Sequence, residues 1–197
     1  MLDEREVDYE RFVAEHHPSP ESWDSFVRAE IVPQWLARYD SMTPWPAEVL
    51  EIPQGPLTYL FDSAPTMSGS TTGDDRVVAV WGRSVAVQGP REKARQAGFI
   101  PVPEKWSHIG LDRGHFVAHA AGGGMDMNFF PQAKGLNRGS TERGKVWRAM
   151  EREIIAKPGT PLFVRPLYED GSWVPTLIDY GMLIDRRLWW ERFHNRD

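Results

Sequence analysis

Apolar residues in the first fifty positions recur at the spacing of an amphipathic helix. Ser19 and Pro20 suit the N-cap and the first turn of that helix. Pro33 is expected to kink or end it, because proline lacks the backbone N–H that a helix interior uses. Pro44, Pro46 and Pro53 make residues 44–56 a predicted connector. The apolar positions at helical spacing are Trp23, Phe26, Val27, Ile31, Trp35 and Tyr39.

Beyond residue 57 the pattern changes to short runs of β-branched and aromatic residues, which are typical of strands. Gly82 and Arg83 are a predicted turn between two of these runs. Residues 64–75, rich in Ser, Thr and Gly, are predicted to form a surface loop. Turns are also expected at 170–171 and 185–187. The predicted strands are 57–61, 77–81, 84–87, 162–168, 174–184 and 188–193.

The middle of the chain predicts a strand, a loop and a helix in succession. Residues 109–118 have the pattern of a strand, and three consecutive glycines at 122–124 require a loop. A helix is predicted to begin at Asn137 or Ser140 and to end near Lys157, where a Pro-Gly pair follows. Together the elements predict an α+β fold, with a central antiparallel sheet, a hairpin-plus-helix unit laid on it and an N-terminal helical segment.

With 197 residues, the chain is long enough for one domain with a substantial core. We expect an N-terminal helical extension over 1–56 and the main domain over 57–197. No apolar run approaches the roughly 18 residues of a membrane-spanning helix, and the charged N-terminus shows no classical secretory signal. The expected location is the cytoplasm, or outside the cell after export without such a signal. The absence of cysteine excludes disulfides, thiolate metal sites and cysteine nucleophiles.

Charge is distributed unevenly along the chain. The formal net charge is −5, but residues 1–50 alone carry 11 acids and 4 bases, which leaves +2 for the remaining 147 residues. Residues 131–157 carry 7 bases against 3 acids. This segment is basic enough to contact phosphates, although a solvated helix face would have a similar composition.

A set of polar residues follows the sequence Asp112-Arg113-Gly114-His115 at fixed distances. Any specified four-residue string occurs by chance in roughly one chain in a thousand of this length, so the companions carry the hypothesis. An imidazole can take a proton from water, and amide and carboxylate oxygens can hold a hydrated Mg²⁺. The set therefore suggests metal-assisted cleavage of a phosphodiester. The companions are Asn128, Pro131, Gln132, Asn137, Trp147 and Glu151.

In this order, residues 109–151 resemble the DNA/RNA non-specific endonucleases of the His-Me finger (ββα-metal) class. The family signature is Asp-Arg-Gly-His, an Asn, a Pro-Gln pair, a second Asn nine residues after the first, and a Trp four residues before a Glu. Every element is present here. The resemblance covers about 57–193 and leaves 1–50 outside it. It implies that the hairpin-plus-helix unit is a ββα-metal active site.

The resemblance implies hydrolysis of DNA, RNA or both without sequence preference, with Mg²⁺ as the cofactor and Mn²⁺ as an alternative. Two biological roles remain open, a bacterial toxin effector with an immunity or inhibitor protein as its partner, or a housekeeping nuclease. An alternative function is a catalytically inactive nucleic-acid-binding or protein-interaction module on the same fold. The acidic N-terminal segment would then dock a partner, or it would mask a basic cleft as a phosphate mimic.

The resemblance makes His115 the general base, and it places Asn128 behind it as a group that orients the histidine or its loop. Arg113 would support the phosphate or the structure of the site, since arginine donates forked hydrogen bonds. A further arginine clamp, Arg83 or Arg91, is expected upstream. Taken alone, a histidine on an apolar strand is more often a hydrogen-bonded core residue, and an arginine beside it a structural salt bridge.

The resemblance makes Asn137 the metal ligand and Glu151 the carboxylate that positions metal-bound water. Asparagine is also a frequent helix N-cap, and a glutamate on a charged helix face is often only solvated. The two residues are eight apart in the family but fourteen apart here. A continuous helix would separate them by roughly 21 Å instead of roughly 12 Å. We therefore expect residues 140–145 to interrupt the helix. If they do not, Glu142 becomes the candidate.

Overall fold

The computed structural model describes residues 7–69, 73–87, 110–124 and 127–195. Its strands are β1 (Val49–Gln54), β2 (Leu57–Asp62), β3 (Arg76–Arg83), β4 (Leu111–His115), β5 (Phe129–Ala133), β6 (Pro161–Leu167), β7 (Leu177–Ile184) and β8 (Arg187–His194). Its helices are α1 (Tyr9–His16), α2 (Trp23–Phe26), α3 (Val32–Met42), α4 (Ala64–Met67), α5 (Lys134–Arg138) and α6 (Glu142–Ala156). A π-helical turn, Val27–Ile31, joins α2 to α3.

Six strands form one sheet in the order β1-β2-β3-β6-β7-β8, and β4 and β5 form a separate hairpin. Every pairing between these strands is antiparallel. The predicted α+β class with an antiparallel sheet is therefore confirmed. None of the helices in the described ranges combines the length and the apolar character needed to cross a membrane.

The six-stranded sheet separates two hydrophobic cores, because side chains alternate between its faces along each strand. On one face, Val80 of β3 shares a core with Phe130 of the hairpin and Trp147 of α6. On the other face, Trp81 packs with Trp35 of α3 and the other N-terminal helices. The N-terminal helices and the hairpin therefore lie on opposite faces of the sheet. The masking hypothesis is wrong for the described part of the acidic segment, which packs away from the motif.

Buried hydrogen bonds tie the N-terminal helices to the sheet. The Tyr9 hydroxyl donates to Asp179 at 3.0 Å and accepts from Trp35 Nε1 at 3.0 Å. The Tyr39 hydroxyl donates to the Asp62 carboxylate at 2.7 Å. Because unpartnered polar groups are costly in a core, these contacts fix the orientation of the helices on the sheet.

Three local predictions are corrected by the structure. The predicted connector at 44–56 contains the edge strand β1. Pro53 is tolerated there because proline has no backbone N–H, and an edge strand pairs with a neighbour on one side only. The predicted turn at Gly82 and Arg83 belongs to β3, and no strand follows at 84–87. The predicted surface loop at 64–75 begins with the short helix α4.

Of the two outcomes expected at Pro33, a kink or an end of the helix, the structure excludes the end. Pro33 lies in the first turn of α3, where a missing N–H costs little, and the π-helical turn before it absorbs the change in hydrogen bonding. The helical path therefore continues from Trp23 to Met42.

Candidate active site

The motif Asp112-Arg113-Gly114-His115 occupies β4 and pairs with β5. Asp112 lies opposite Gln132, and His115 lies opposite Phe129. A Cβ atom at Gly114 would meet the Cβ, Cδ and Oε1 atoms of Gln132 at under 3.0 Å. Glycine at this position of the motif is thus a packing requirement, since the Gln132 side chain crosses the backbone of β4.

The segment after β5 forms two helices instead of one. α5 ends at Gly139, whose φ of 68° is in the left-handed region that favours glycine. The Thr141 side chain then accepts a hydrogen bond from the Gly144 backbone N–H and caps α6. The predicted interruption is present, but it lies at 139–141. Asn137 lies within α5, so its interpretation as an N-cap is wrong.

His115 and Glu151 form a buried pair between the hairpin and α6. His115 Nε2 lies 3.1 Å from Glu151 Oε1, and the two side chains are 15% and 7% exposed. An ionised carboxylate can only accept hydrogen bonds. Nε2 of the neutral ring therefore carries the hydrogen, and the lone pair lies on Nδ1. The ring is held in the tautomer that leaves Nδ1 as its basic atom.

A further donor from α6 reaches the Glu151 carboxylate. Arg148 Nη1 donates to Oε2 at 3.1 Å. Burial raises the pKa of the Glu151 carboxyl, but the hydrogen bond and charge of His115, with the contributions of Trp147 and Arg148, outweigh it. The net pKa is lowered, so Glu151 is ionised at neutral pH. Each carboxylate oxygen thus has a protein donor, and the expected role of Glu151 in positioning metal-bound water stays a prediction.

Asn137 contacts the other end of the motif. Its Nδ2 donates to Asp112 Oδ2 at 3.4 Å. The same carboxylate receives two hydrogen bonds from Arg138, from Nε at 2.6 Å and from Nη2 at 2.9 Å. The hydrogen bond from Arg138 is the main cause that lowers the pKa of Asp112. Asp112 is therefore a charged anchor that orients the Asn137 amide.

Asn128 holds the loop that follows His115. Its Oδ1 accepts from the Val117 backbone N–H at 3.0 Å and from the Tyr59 hydroxyl at 3.3 Å. Its Nδ2 donates to the carbonyl oxygens of Val117 and Gly124, at 2.8 Å and 3.0 Å. The side chain is 1% exposed. Asn128 thus holds the loop after His115, and its contribution to catalysis stays a prediction.

The expected arginines differ in where they lie. Arg113 is half-buried on β4, two residues before His115 in the chain and opposite Pro131. Arg83 is exposed at the end of β3, and Arg91 lies outside the described residues. Sequence reasoning missed Arg148, which contacts the partner of His115. Its spacing three residues before Glu151 was the available signal, because residues three apart face each other on a helix.

The implied metal ion would need ligand atoms from the residues around the motif. Within the described ranges, no three His, Asp or Glu side chains converge into a group that could hold a metal. The Asn137 amide nitrogen is engaged by Asp112, which leaves Oδ1 as the atom for a cation. A single amide oxygen suits a hydrated hard cation such as Mg²⁺ or Mn²⁺, which keeps most of its waters. The chemistry of this single donor would suit such an ion at Asn137.

No family model matches the chain, and no curated protein matches it. Among solved structures, the chain is distantly similar to one described as "Structure of Sda1 nuclease with bound zinc ion", at 12% sequence identity and a TM-score of 0.42. The match covers 80% of this chain and 92% of that chain. A likeness with this TM-score carries no argument about the chain. The residue assignments rest on the motif and on the contacts described above.

Proposed function

We propose that the chain is a metal-dependent endonuclease that hydrolyses phosphodiester bonds of DNA, RNA or both without strict sequence preference. The observation that carries the proposal is the buried pair of His115 and Glu151, which leaves Nδ1 as the basic atom of a ring at the end of β4. A histidine held in one tautomer by a carboxylate is the arrangement that a general base needs.

In the proposed reaction, Nδ1 of His115 takes a proton from the attacking water. The water oxygen bonds to phosphorus, the bond from phosphorus to the 3′-oxygen breaks, and the 5′-phosphate stays on the other product. Glu151 is already ionised, so it stabilises the imidazolium that forms when the proton arrives. We therefore assign Glu151 to positioning and stabilising His115, and not to the metal.

Asn137 would hold the metal ion through Oδ1, with Asp112 fixing the orientation of the amide. When bound there, Mg²⁺ or Mn²⁺ would neutralise charge on the phosphate and the leaving oxygen. Asn128 keeps the loop after His115 in place, and Arg113 contributes positive charge beside the base. Contacts to backbone phosphate carry no base sequence, which agrees with weak sequence preference.

Cleavage assays with the purified chain test this function. Supercoiled plasmid DNA and single-stranded RNA are incubated with Mg²⁺, with Mn²⁺ or with a chelator, using the wild type, His115→Ala and His194→Ala. His194 is an exposed histidine at the end of β8 and serves as the matched control. We expect cleavage with either metal, none with the chelator, a loss of about 100-fold or more in His115→Ala and no change in His194→Ala.

Two outcomes would contradict the proposal. Equal cleavage with the chelator or by His115→Ala would exclude the mechanism. No cleavage by the wild type with either metal would favour the binding or interaction module. The proposed role as a toxin effector predicts slower growth of bacteria that express the wild type, and normal growth with His115→Ala. An immunity or inhibitor protein would then be a partner that blocks cleavage.

A further inference from the structure

Arg148 lies between the buried His115–Glu151 pair and the solvent. Its Nη1 donates to Glu151 Oε2 at 3.1 Å, although its own side chain is 50% exposed and that of Glu151 only 7%. The other oxygen of the carboxylate faces His115. One buried carboxylate thus bridges the imidazole and a guanidinium that reaches the surface.

The other basic side chains with ion pairs on α5 and α6 bind carboxylates that do not contact His115. Arg138 places two nitrogens on Asp112, and Arg143 donates to Glu191 and to a backbone carbonyl of β8. Lys145 and Lys157 pair with glutamates on α6 itself. Among the ion pairs of these two described helices, that of Arg148 alone shares its carboxylate with the proposed base.

Charge balance gives this arrangement a consequence. With a neutral imidazole, the negative charge of Glu151 is matched by the positive charge of Arg148. When His115 takes a proton, the trio gains one positive charge, and the imidazolium competes for the same carboxylate. The guanidinium has five N–H donors in a planar fork, which suits two oxygens of one phosphate.

We propose that Arg148 binds the scissile phosphate and exchanges Glu151 for the phosphate oxygens as His115 becomes protonated. This inference rests on the proposed nuclease function. Positive charge is then released beside the phosphate at the moment when negative charge builds up on it, which is the condition for transition-state stabilisation. No proton leaves Arg148 in this step, since arginine stays charged throughout.

The test compares Arg148→Ala and Arg148→Lys with Arg152→Ala. Arg152 is exposed on the same helix, but lies about 100° around it from Glu151, while Arg148 lies about 60° away. We expect kcat to fall by roughly 100-fold or more in Arg148→Ala, because removing one such donor costs about that much. Arg148→Lys should be intermediate, since lysine cannot donate a fork. Arg152→Ala should keep kcat within about twofold, and added guanidinium ion should partly restore Arg148→Ala.

Different outcomes separate this inference from a structural role. Arg148→Ala with wild-type kcat, or a loss equal to that of Arg152→Ala, would overturn it. Full activity of Arg148→Lys, with no rescue of Arg148→Ala by guanidinium, would show that Arg148 only balances the charge of Glu151, which would also overturn it.

A binding measurement keeps the inference distinct from the proposed function. With a chelator present, which stops cleavage while His115 stays in place, a fluorescent oligonucleotide is titrated into the wild type and Arg148→Ala at several salt concentrations. We expect Arg148→Ala to weaken binding and to reduce the salt slope by about 1. If the wild type cleaves nothing but Arg148→Ala still binds the oligonucleotide more weakly, the phosphate contact is supported and the nuclease function is refuted. If the wild type cleaves and binding does not change, the phosphate contact is refuted.

Discussion

Replacing Glu151 with glutamine tests whether this residue serves His115 or the metal ion. Glutamine keeps the size of the side chain but has one acceptor oxygen and one NH₂ group. In the wild type, Oε1 faces His115 Nε2 and Oε2 faces Arg148 Nη1, each at 3.1 Å. Either orientation of the amide therefore satisfies one of these donors and turns an NH₂ group toward the other.

The magnitude follows from these two contacts. Hydrogen bonds to a charged group contribute about 1.5–3 kcal/mol and neutral ones about 1 kcal/mol, while an unpaired buried group costs about 1–3 kcal/mol. The cost of burying the carboxylate disappears at the same time, so we expect a net loss of about 1–3 kcal/mol in the free energy of unfolding. Activity should fall much further, by about 10²–10⁴ in kcat, because the ring is no longer held in one tautomer and its charged form is no longer stabilised.

Steady-state cleavage at saturating Mg²⁺ measures the loss in kcat, and a Mg²⁺ titration shows whether added metal reverses it. The ¹⁵N chemical shifts of His115 report the tautomer, which should be the Nε2–H form in the wild type and a mixture in Glu151→Gln. Recovery of kcat at high Mg²⁺ with an unchanged tautomer would show that Glu151 serves the metal ion and not His115. An unchanged kcat would refute both assignments.

Two further substitutions test the packing of the hairpin and of the N-terminal layer. Gly114→Ala should lower the free energy of unfolding by about 1–3 kcal/mol, because the new methyl group meets the Cβ of Gln132, which cannot rotate away; an unchanged midpoint in thermal unfolding would contradict this. Burial raises the pKa of Asp62, but hydrogen bonds from Tyr39, Trp45 and two backbone N–H groups outweigh it, so the net pKa is lowered. Its contribution to stability is therefore complete above the ordinary value of 3.8 and is lost as pH falls through the lower folded-state value. Asp62→Asn should unfold more easily at neutral pH, by about 1–3 kcal/mol, and should lose less stability on acidification, whereas an acid limb identical to that of the wild type in urea titrations would contradict this.

Local patterns in the sequence predicted the features that local interactions determine. The residues on the buried side of α6 follow helical spacing, and the strands on either side of 170–171 and 185–187 are runs of apolar and aromatic residues between polar turns. The motif on β4 was visible because its four residues are consecutive in the chain and lie in one strand of a hairpin. These features depend on residues close together in the chain, which propensity and periodicity describe well.

Features that depend on distant contacts were missed or left open. β1 was not predicted, because its residues are largely exposed and Pro53 argues against a strand unless it lies at a sheet edge. The position of the N-terminal helices depends on contacts such as that of Tyr9 with Asp179, 170 residues away. The pairing of Glu151 with His115 could not be read from spacing either, since it requires α6 to pack on the hairpin in one orientation.

The long spacing between Asn137 and Glu151 is explained by the two different points at which they meet β4. Asn137 contacts Asp112, whereas Glu151 contacts His115, three residues further along the strand. Three residues of strand span about 10 Å, while fourteen residues of continuous helix would span about 21 Å. The break at Gly139 and Thr141 shortens that path, because α6 starts anew beside α5, where Gly144 allows close approach to the Gly135 carbonyl. The same turn that lengthens the sequence therefore lets one strand receive both side chains, in keeping with the proposed roles of Glu151 toward the base and of Asn137 toward a cation.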